Sequence, residues 1–199
     1  APEGMDEASA ALFPDGFEES ELGLVPRGWR IGKLEDLLVL QRGFDLPASE
    51  RVPGGYPIIA ASGPSGTHKT GMARAPGVVT GRSGVLGRVF LVLEDYWPLN
   101  TTLWVKEFRA ATPCYAYEVL SLLDFASFNA GSAVPTLNRN HVHSLPYLVP
   151  QRPCVDKYES VVMTLQTRIR ANQQKAQTLA ALRDTLLPRL ISGKLRLPE

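Results

Sequence analysis

Residues 154–187 contain neither glycine nor proline, and Pro153 and Pro188 bracket the run. Nothing else in the 199-residue chain so narrows what it can fold into. Glycine and proline weaken helix interiors most, so their absence predicts one continuous helix over 154–187. At about 1.5 Å per residue it would be roughly 50 Å long. Apolar residues recur along it in a heptad register. The a and d positions fall on Val155, Tyr158, Val162, Leu165, Ile169, Asn172, Ala176, Leu179, Arg183 and Leu186, and eight of these ten are apolar. Asn172 is the kind of polar residue that fixes a coiled-coil register at some loss of stability. A preceding domain of about 130 residues is too small to cover so long a stripe. The seam therefore predicts a partner helix, from a second copy or from another part of the same polypeptide. Tyr158, Val162, Leu165, Ile169, Asn172, Leu179 and Leu186 are the predicted pairing residues. The alternative is a terminal helix folded back onto its own domain.

The region before the helix has the opposite character. Residues 24–150 hold most of the glycine and proline and several short β-rich runs, at 56–61, 77–80, 85–93 and 102–105. Turn signals such as Pro53-Gly54-Gly55 and Ala75-Pro76-Gly77 separate them. Helices are expected over 32–40, where Leu34, Leu37 and Leu38 share a face, and over 113–126. The pattern is α+β: a small mixed sheet of irregular short strands, followed by one long coiled-coil-forming C-terminal helix. Residues 1–23 read as an acidic arm or linker, 24–150 as the globular domain, and 151–199 as the long helix and tail. The chain opens on Ala1 rather than Met, as a processed, tagged or excised polypeptide does.

Charge follows the same division. The formal net charge is only +1, yet the first 21 residues carry seven acids and no base. Residues 22–199 then carry 21 bases against 13 acids. Between Arg51 and Leu93 there is no acid, while Arg51, Lys69, Arg74, Arg82 and Arg88 fall within the stretch and His68 adds a sixth titratable group. A second acid-free stretch, 125–155, holds Arg139 with Asn129, Asn138 and Asn140. Arg, Lys and Asn in glycine-rich loops hold phosphates and read base edges. A solvated surface with chance clustering is the plainer alternative.

Catalytic and metal chemistry find little footing. Gly81-Arg82-Ser83-Gly84-Val85-Leu86-Gly87 looks like a phosphate loop, but no Lys-Ser/Thr pair follows the last glycine. A strand is expected after it where a dinucleotide fingerprint needs a helix. It reads as a tight turn, or as a turn whose backbone and Arg82 approach a nucleic acid. His141 and His143 would share one face of a strand, with no third ligand indicated. Two cysteines, Cys114 and Cys154, make neither a disulfide framework nor a zinc site, and a reducing, cytoplasmic setting is the simpler expectation. No run is long and apolar enough to span a membrane. No catalytic residue, metal or cofactor is assigned.

Six motifs, Leu22–Trp29, Tyr56–Gly63, Val78–Gly87, Trp97–Thr102, Gly131–Pro150 and Leu182–Leu195, stand in an order that resembles one half of the specificity subunit of type I restriction–modification systems. Leu22-Gly23-Leu24-Val25-Pro26-Arg27-Gly28-Trp29 is similar to the family's lead into a target recognition domain. Tyr56-Pro57-Ile58-Ile59 with Ala61-Ser62-Gly63 resembles its first strand and glycine turn. Val78–Gly87 resembles its glycine hairpin, and Trp97-Pro98-Leu99-Asn100-Thr101-Thr102 the segment after it. Gly131-Ser132-Ala133-Val134-Pro135-Thr136-Leu137-Asn138, with Leu145-Pro146 and Val149-Pro150, resembles the approach to the family's long helix. Leu182-Arg183-Asp184-Thr185-Leu186-Leu187-Pro188-Arg189-Leu190-Ile191-Ser192-Gly193-Lys194-Leu195 resembles that helix's end. The sequence departs from the family at Gln151-Arg152-Pro153-Cys154, where Glu-Gln is usual, and it has one recognition domain and one helix where a full subunit has two. Leu12-Phe13-Pro14-Asp15-Gly16-Phe17 resembles the linker before the second recognition domain, so the chain is most like a C-terminal half; a natural half-subunit that pairs with itself is the other possibility.

The resemblance implies a non-catalytic, DNA-binding specificity subunit whose target recognition domain reads one half of a bipartite DNA site. Lys69, Arg74, Arg82, Ser83 and Arg139 are the expected DNA contacts. Expected partners are double-stranded DNA, methyltransferase subunits that carry out DNA methylation, the restriction and translocase subunit through the complex, and a second copy or the other half through the long helix. The rival from another class is a coiled-coil adaptor whose globular head binds protein.

Overall fold

The computed structural model describes residues 4–128 and 136–194. The chain divides into two compact units, Ala1–Ser160 and Val161–Glu199. The first contains one helical turn, α1 (Glu7–Ala10), and a hairpin of β1 (Phe17–Ser20) and β2 (Gly23–Pro26). Then come β3 (Arg30–Lys33), the turn α2 (Leu34–Leu37), β4 (Leu38–Arg42), β5 (Tyr56–Ala60) and β6 (Gly63–His68). They are followed by β7 (Gly77–Gly81), β8 (Val89–Val92), β9 (Trp97–Pro98), β10 (Thr102–Phe108) and the helix α3 (Pro113–Leu122). A short helix α4 (Arg139–His143), β11 (Pro146–Val149) and the long helix α5 (Arg152–Ile191) complete the order.

The core is built around β7, all five of whose residues are buried. In the four-stranded sheet β4-β10-β7-β8 it pairs antiparallel with both neighbours. Alternate side chains point to opposite faces of a strand. Val78 accordingly joins a large cluster with Leu34, Leu37, Leu40, Leu103, Val119 and Leu120. Val79 enters a second cluster with Ile59, Ala73, Val92 and Tyr96. Helix α3 closes the first face. Gly77 has no side chain because the Tyr96 ring lies where its Cβ would be. A smaller sheet, β6-β5-β9, stands beside the second cluster, and β3 pairs with β11.

Residues 32–40 depart from the predicted helix. Only Leu34–Leu37 form a helical turn, and Leu38–Arg42 extend into β4 against β10. The apolar positions Leu38 and Leu40 also satisfy a period of two, and the ladder with β10 decides between the periods. The turn is started by Asp36, whose carboxylate accepts the Lys33 N–H at 2.9 Å and the Arg30 guanidinium at 3.1 Å. These bonds hold Asp36 below the usual carboxylate range, the backbone bond foremost. The predicted helix over 113–126 ends at Leu122, with a 3₁₀ turn at Phe125–Phe128. The acidic arm holds α1 and β1, and its hairpin partner β2 begins at Gly23.

His141 and His143 lie on α4 and not on a strand. β4 is an edge strand, and His143 covers that edge: its Nε2 accepts the Leu40 N–H at 2.8 Å. Among the described residues no cluster of three metal-ligating groups exists.

Helix α5 runs past both ends of the predicted 154–187. Pro153 sits in its first turn, where a missing N–H costs nothing. Pro188 lies in its last turns, and the helix stops only where Gly193 turns left-handed, at φ +69°. Residues 152–160 belong to the first unit and pack there. Glu159 Oε2 accepts the Cys114 N–H at 2.8 Å, capping α3 in place of Thr112, which makes no side-chain cap. Tyr158 meets Tyr115 edge-on at 5.9 Å, and Cys154 Sγ donates to the Leu12 carbonyl.

Two outcomes follow from these bonds. Burial holds His143 below its ordinary value of 6.5, although the Glu35 carboxylate opposes the shift. The unfolded chain therefore takes up this proton first, so stability is full above pH 6.5 and falls as pH drops through the folded value. His143→Ala should lose about 1–3 kcal/mol by orphaning the Leu40 N–H, and should flatten the decline of Tm from pH 7 to about pH 5. An unchanged Tm would show that the edge bond carries no load. Glu159→Ala should cost about 1 kcal/mol in urea unfolding and Glu159→Gln less, since an amide oxygen can still cap.

Candidate nucleic-acid interface

At one end of the four-stranded sheet β4 and β7 finish while β10 and β8 begin. The segments that meet there are bonded to one another. The N–H groups of Arg82 and Ser83 both donate to the Thr101 carbonyl, at 2.8 and 3.1 Å. The Arg82 carbonyl accepts the Leu137 N–H at 2.8 Å, and Ser83 bridges to Thr136. Thr101 Oγ1 accepts the Ala61 N–H, and Arg88 Nη1 reaches the Ser62 carbonyl at 3.1 Å. Asn100 donates its side-chain amide to Asp45, which also accepts Arg42 Nη2 at 3.3 Å. The loop 82–88 leaves β7 tightly: the Val85 carbonyl stands where a Cβ on Gly81 would be, so only glycine fits.

Arg82, half-exposed, is thus carried on a backbone fixed by hydrogen bonds on both sides, with Ser83 beside it. Arg139 is exposed two residues beyond Leu137, at the start of α4. The structure brings these three together. Lys69 and Arg74 lie elsewhere, in a cavity of about 230 Å3 with Tyr56, Met72 and Asp95, near the other end of β7. A five-residue strand separates its two ends by roughly 13 Å. Arg74 is paired there with Asp95 at 2.6 Å. Asp95 also accepts the Ala75 N–H, and these bonds hold its carboxyl below the usual range.

Two members of the acid-free run have internal roles. His68 is buried, its Nδ1 accepts the Val52 N–H at 3.1 Å, and its ring meets Trp97 edge-on at 5.0 Å. Arg51 donates to the carbonyls of Leu46 and Ser65. The sequence reading missed Arg42, Asp45 and Asn100. Asn100 lies inside a quoted motif, but Arg42 and Asp45 become visible as loop residues only once 38–42 is read as a strand. Gly131–Pro135 and Leu195, part of two quoted motifs, lie outside the described residues.

No protein-family model matches the chain. Over 69 residues it is 33% identical to the type I restriction enzyme MjaIX specificity subunit of Methanocaldococcus jannaschii, a stretch that is 35% of this chain and 16% of that protein. The S subunit of a type I restriction–modification system from M. genitalium superposes with a TM-score of 0.66 at 16% identity, covering 83% of this chain and 46% of the other. A structure described for complex assembly and conformational transition of a type I system gives a TM-score of 0.54 at 16% identity, over 92% and 49%. The HsdS subunit of Thermoanaerobacter tengcongensis gives 0.50 at 15% identity, over 94% and 50%. The chain spans about half the length of these solved subunits. The chain thus has a fold similar to about half of a type I restriction–modification specificity subunit, and over 69 residues its sequence is similar to one such subunit.

Proposed function

We propose that this chain is the DNA-reading part of a type I restriction–modification enzyme, recognising one half of a bipartite site. The observation that supports the proposal is the bonded loop end of the sheet, where the segments carrying Arg82, Ser83, Arg88 and Asn100 are linked to one another and Arg139 follows two residues after Leu137, in a fold similar to that of specificity subunits. Backbone fixation matters because a base contact needs its side chain placed to within a fraction of an ångström. Arg82 is suited to guanine O6 and N7 or to a phosphate, and Asn100 to adenine. Lys69 and Arg74, at the other end of β7, are suited to outer phosphate contacts, with Arg74 weakened by Asp95. The chain itself is non-catalytic and cytoplasmic in this proposal and needs no cofactor. Methyltransferase subunits dock on it and modify a flipped base, and the restriction and translocase subunit joins through the complex. Helix α5 pairs antiparallel with its counterpart and sets the distance between half-sites. The exposure of Leu165, Ile169, Leu179 and Leu186 supports pairing through that face.

Selection from a random duplex pool tests the proposal. One enriched half-site is expected; no enrichment, with capture of a protein partner instead, would favour the adaptor. Affinity should fall steeply with salt, the slope counting the phosphates neutralised. Arg82→Ala should lose about 1–3 kcal/mol of specific binding with its Tm unchanged, and Arg74→Ala clearly less. Equal losses from the two variants would contradict the assignment of the reading surface.

A further inference from the structure

The segment 136–145 straps the Arg82 loop to the edge of the central sheet. At one end Leu137 donates its N–H to the Arg82 carbonyl at 2.8 Å, and Thr136 bridges to Ser83. At the other, His143 Nε2 accepts the Leu40 N–H at 2.8 Å, and the Leu145 carbonyl accepts the Leu34 N–H at 2.9 Å. Between these ends Val142 is fully buried, and Arg139 begins α4 in the open. Arg139 and His143 are four residues apart on one short helix, so they share a face. Leu40 stands two residues before Arg42, which ends β4 and pairs with Asp45. His143 thus joins α4 to β4, and it does so with a titratable side chain.

The bond needs a lone pair on Nε2, so the imidazole is neutral with its proton on Nδ1. An imidazolium carries N–H on both nitrogens and would set one of them against the Leu40 N–H. Three charged groups face it. Glu35, from α2, favours the imidazolium, while Arg139 on α4 itself and Arg109, just past β10, oppose it. Arg109 is held beside Glu35, its Nη1 donating to the Glu35 carbonyl at 3.0 Å. Burial is the largest influence and keeps the imidazole neutral to below pH 6.5.

We propose that His143 is a proton-sensitive latch that positions Arg139: closed, it holds α4 where Arg139 meets the DNA half-site, and protonated, it releases β4 and half-site selectivity falls. The proposal rests on the DNA reading proposed above. His143 touches no DNA in it and is a positioning residue. Its sign is opposite to that of general DNA affinity. Lower pH adds positive charge and strengthens phosphate attraction. Release of the latch weakens only the placed contact. Val142 and the Leu145 bond remain, so α4 loosens without leaving the domain.

Selectivity of the full chain at fixed salt tests this, read as the dissociation constant for random duplex divided by that for the enriched half-site. It should fall by about fivefold or more from about pH 7.5 to about pH 5, the low end of what one base contact contributes, with circular dichroism unchanged. His143→Gln places a non-titrating amide oxygen within reach of the Leu40 N–H and should keep its selectivity at both values. His143→Ala should be low at both. A flat wild-type profile, or a decline that His143→Gln shares, would overturn the latch. Hydrogen exchange without DNA separates the latch from the reading. At one pH, His143→Ala should speed exchange of the Leu40 and Leu137 amides by about fivefold or more beyond any change at the β7 amides, which report global opening, and His143→Gln should restore both. Faster exchange at Leu40 alone would overturn the strap's hold on the Arg82 loop. If no half-site is enriched while both amides respond, the DNA reading fails and the latch stands.

Discussion

The carbonyl oxygen of Thr101 accepts two N–H groups, from Arg82 and Ser83, and the whole loop end of the central sheet depends on that junction. β7 and β10 are antiparallel neighbours, so the end of one and the start of the other lie side by side. The double bond turns that adjacency into a fixed loop, and the Arg82 carbonyl carries the order on to Leu137. Burial of every β7 residue anchors the junction from beneath. A guanidinium on such a base loses little backbone freedom on binding, which favours selective contacts over adaptable ones.

The two ends of β7 differ in electrostatics as well as in place. At one, Asp95 pairs with Arg74, which leaves Lys69 as the second base of that cavity. At the other, Asp45 is engaged by Arg42 and Asn100, and the loop that carries Arg82 and Arg88 is bonded to Thr101 and Leu137. Net charge conceals this, since +1 for the chain sums an acidic arm and a basic remainder. The acidic arm has a local use too. Asp6 caps α1 through the Ser9 N–H and stands 3.9 Å from Lys157, so the arm is tied to the base of the long helix.

Much of the fold was legible because its signals are strong and local. A long run without glycine or proline has one regular solution, and α5 follows it. The glycine hairpin was legible for a similar reason, since Gly81 is required by the close approach of Val85. What sequence misjudged was decided at long range. Leu34, Leu37, Leu38 and Leu40 fit a helix and a strand alike, and only β10, some sixty residues on, selects β4. His68 and Arg51 look like surface cations until β6 and the 46–52 loop close around them. Arg74 looks free until Asp95 arrives from the far side of β8. The contacts that fix Arg82 come from Thr101 and Leu137, so its placement could not be read from its neighbours in sequence.

The most direct test is to reconstitute the chain with a methyltransferase subunit and map which adenines become methylated. Sites sharing one fixed half-sequence are predicted, with that half-sequence relaxed at one position by Arg82→Ala. Methylation without a shared half-sequence, or a pattern indifferent to Arg82, would contradict DNA reading by the loop end of the sheet.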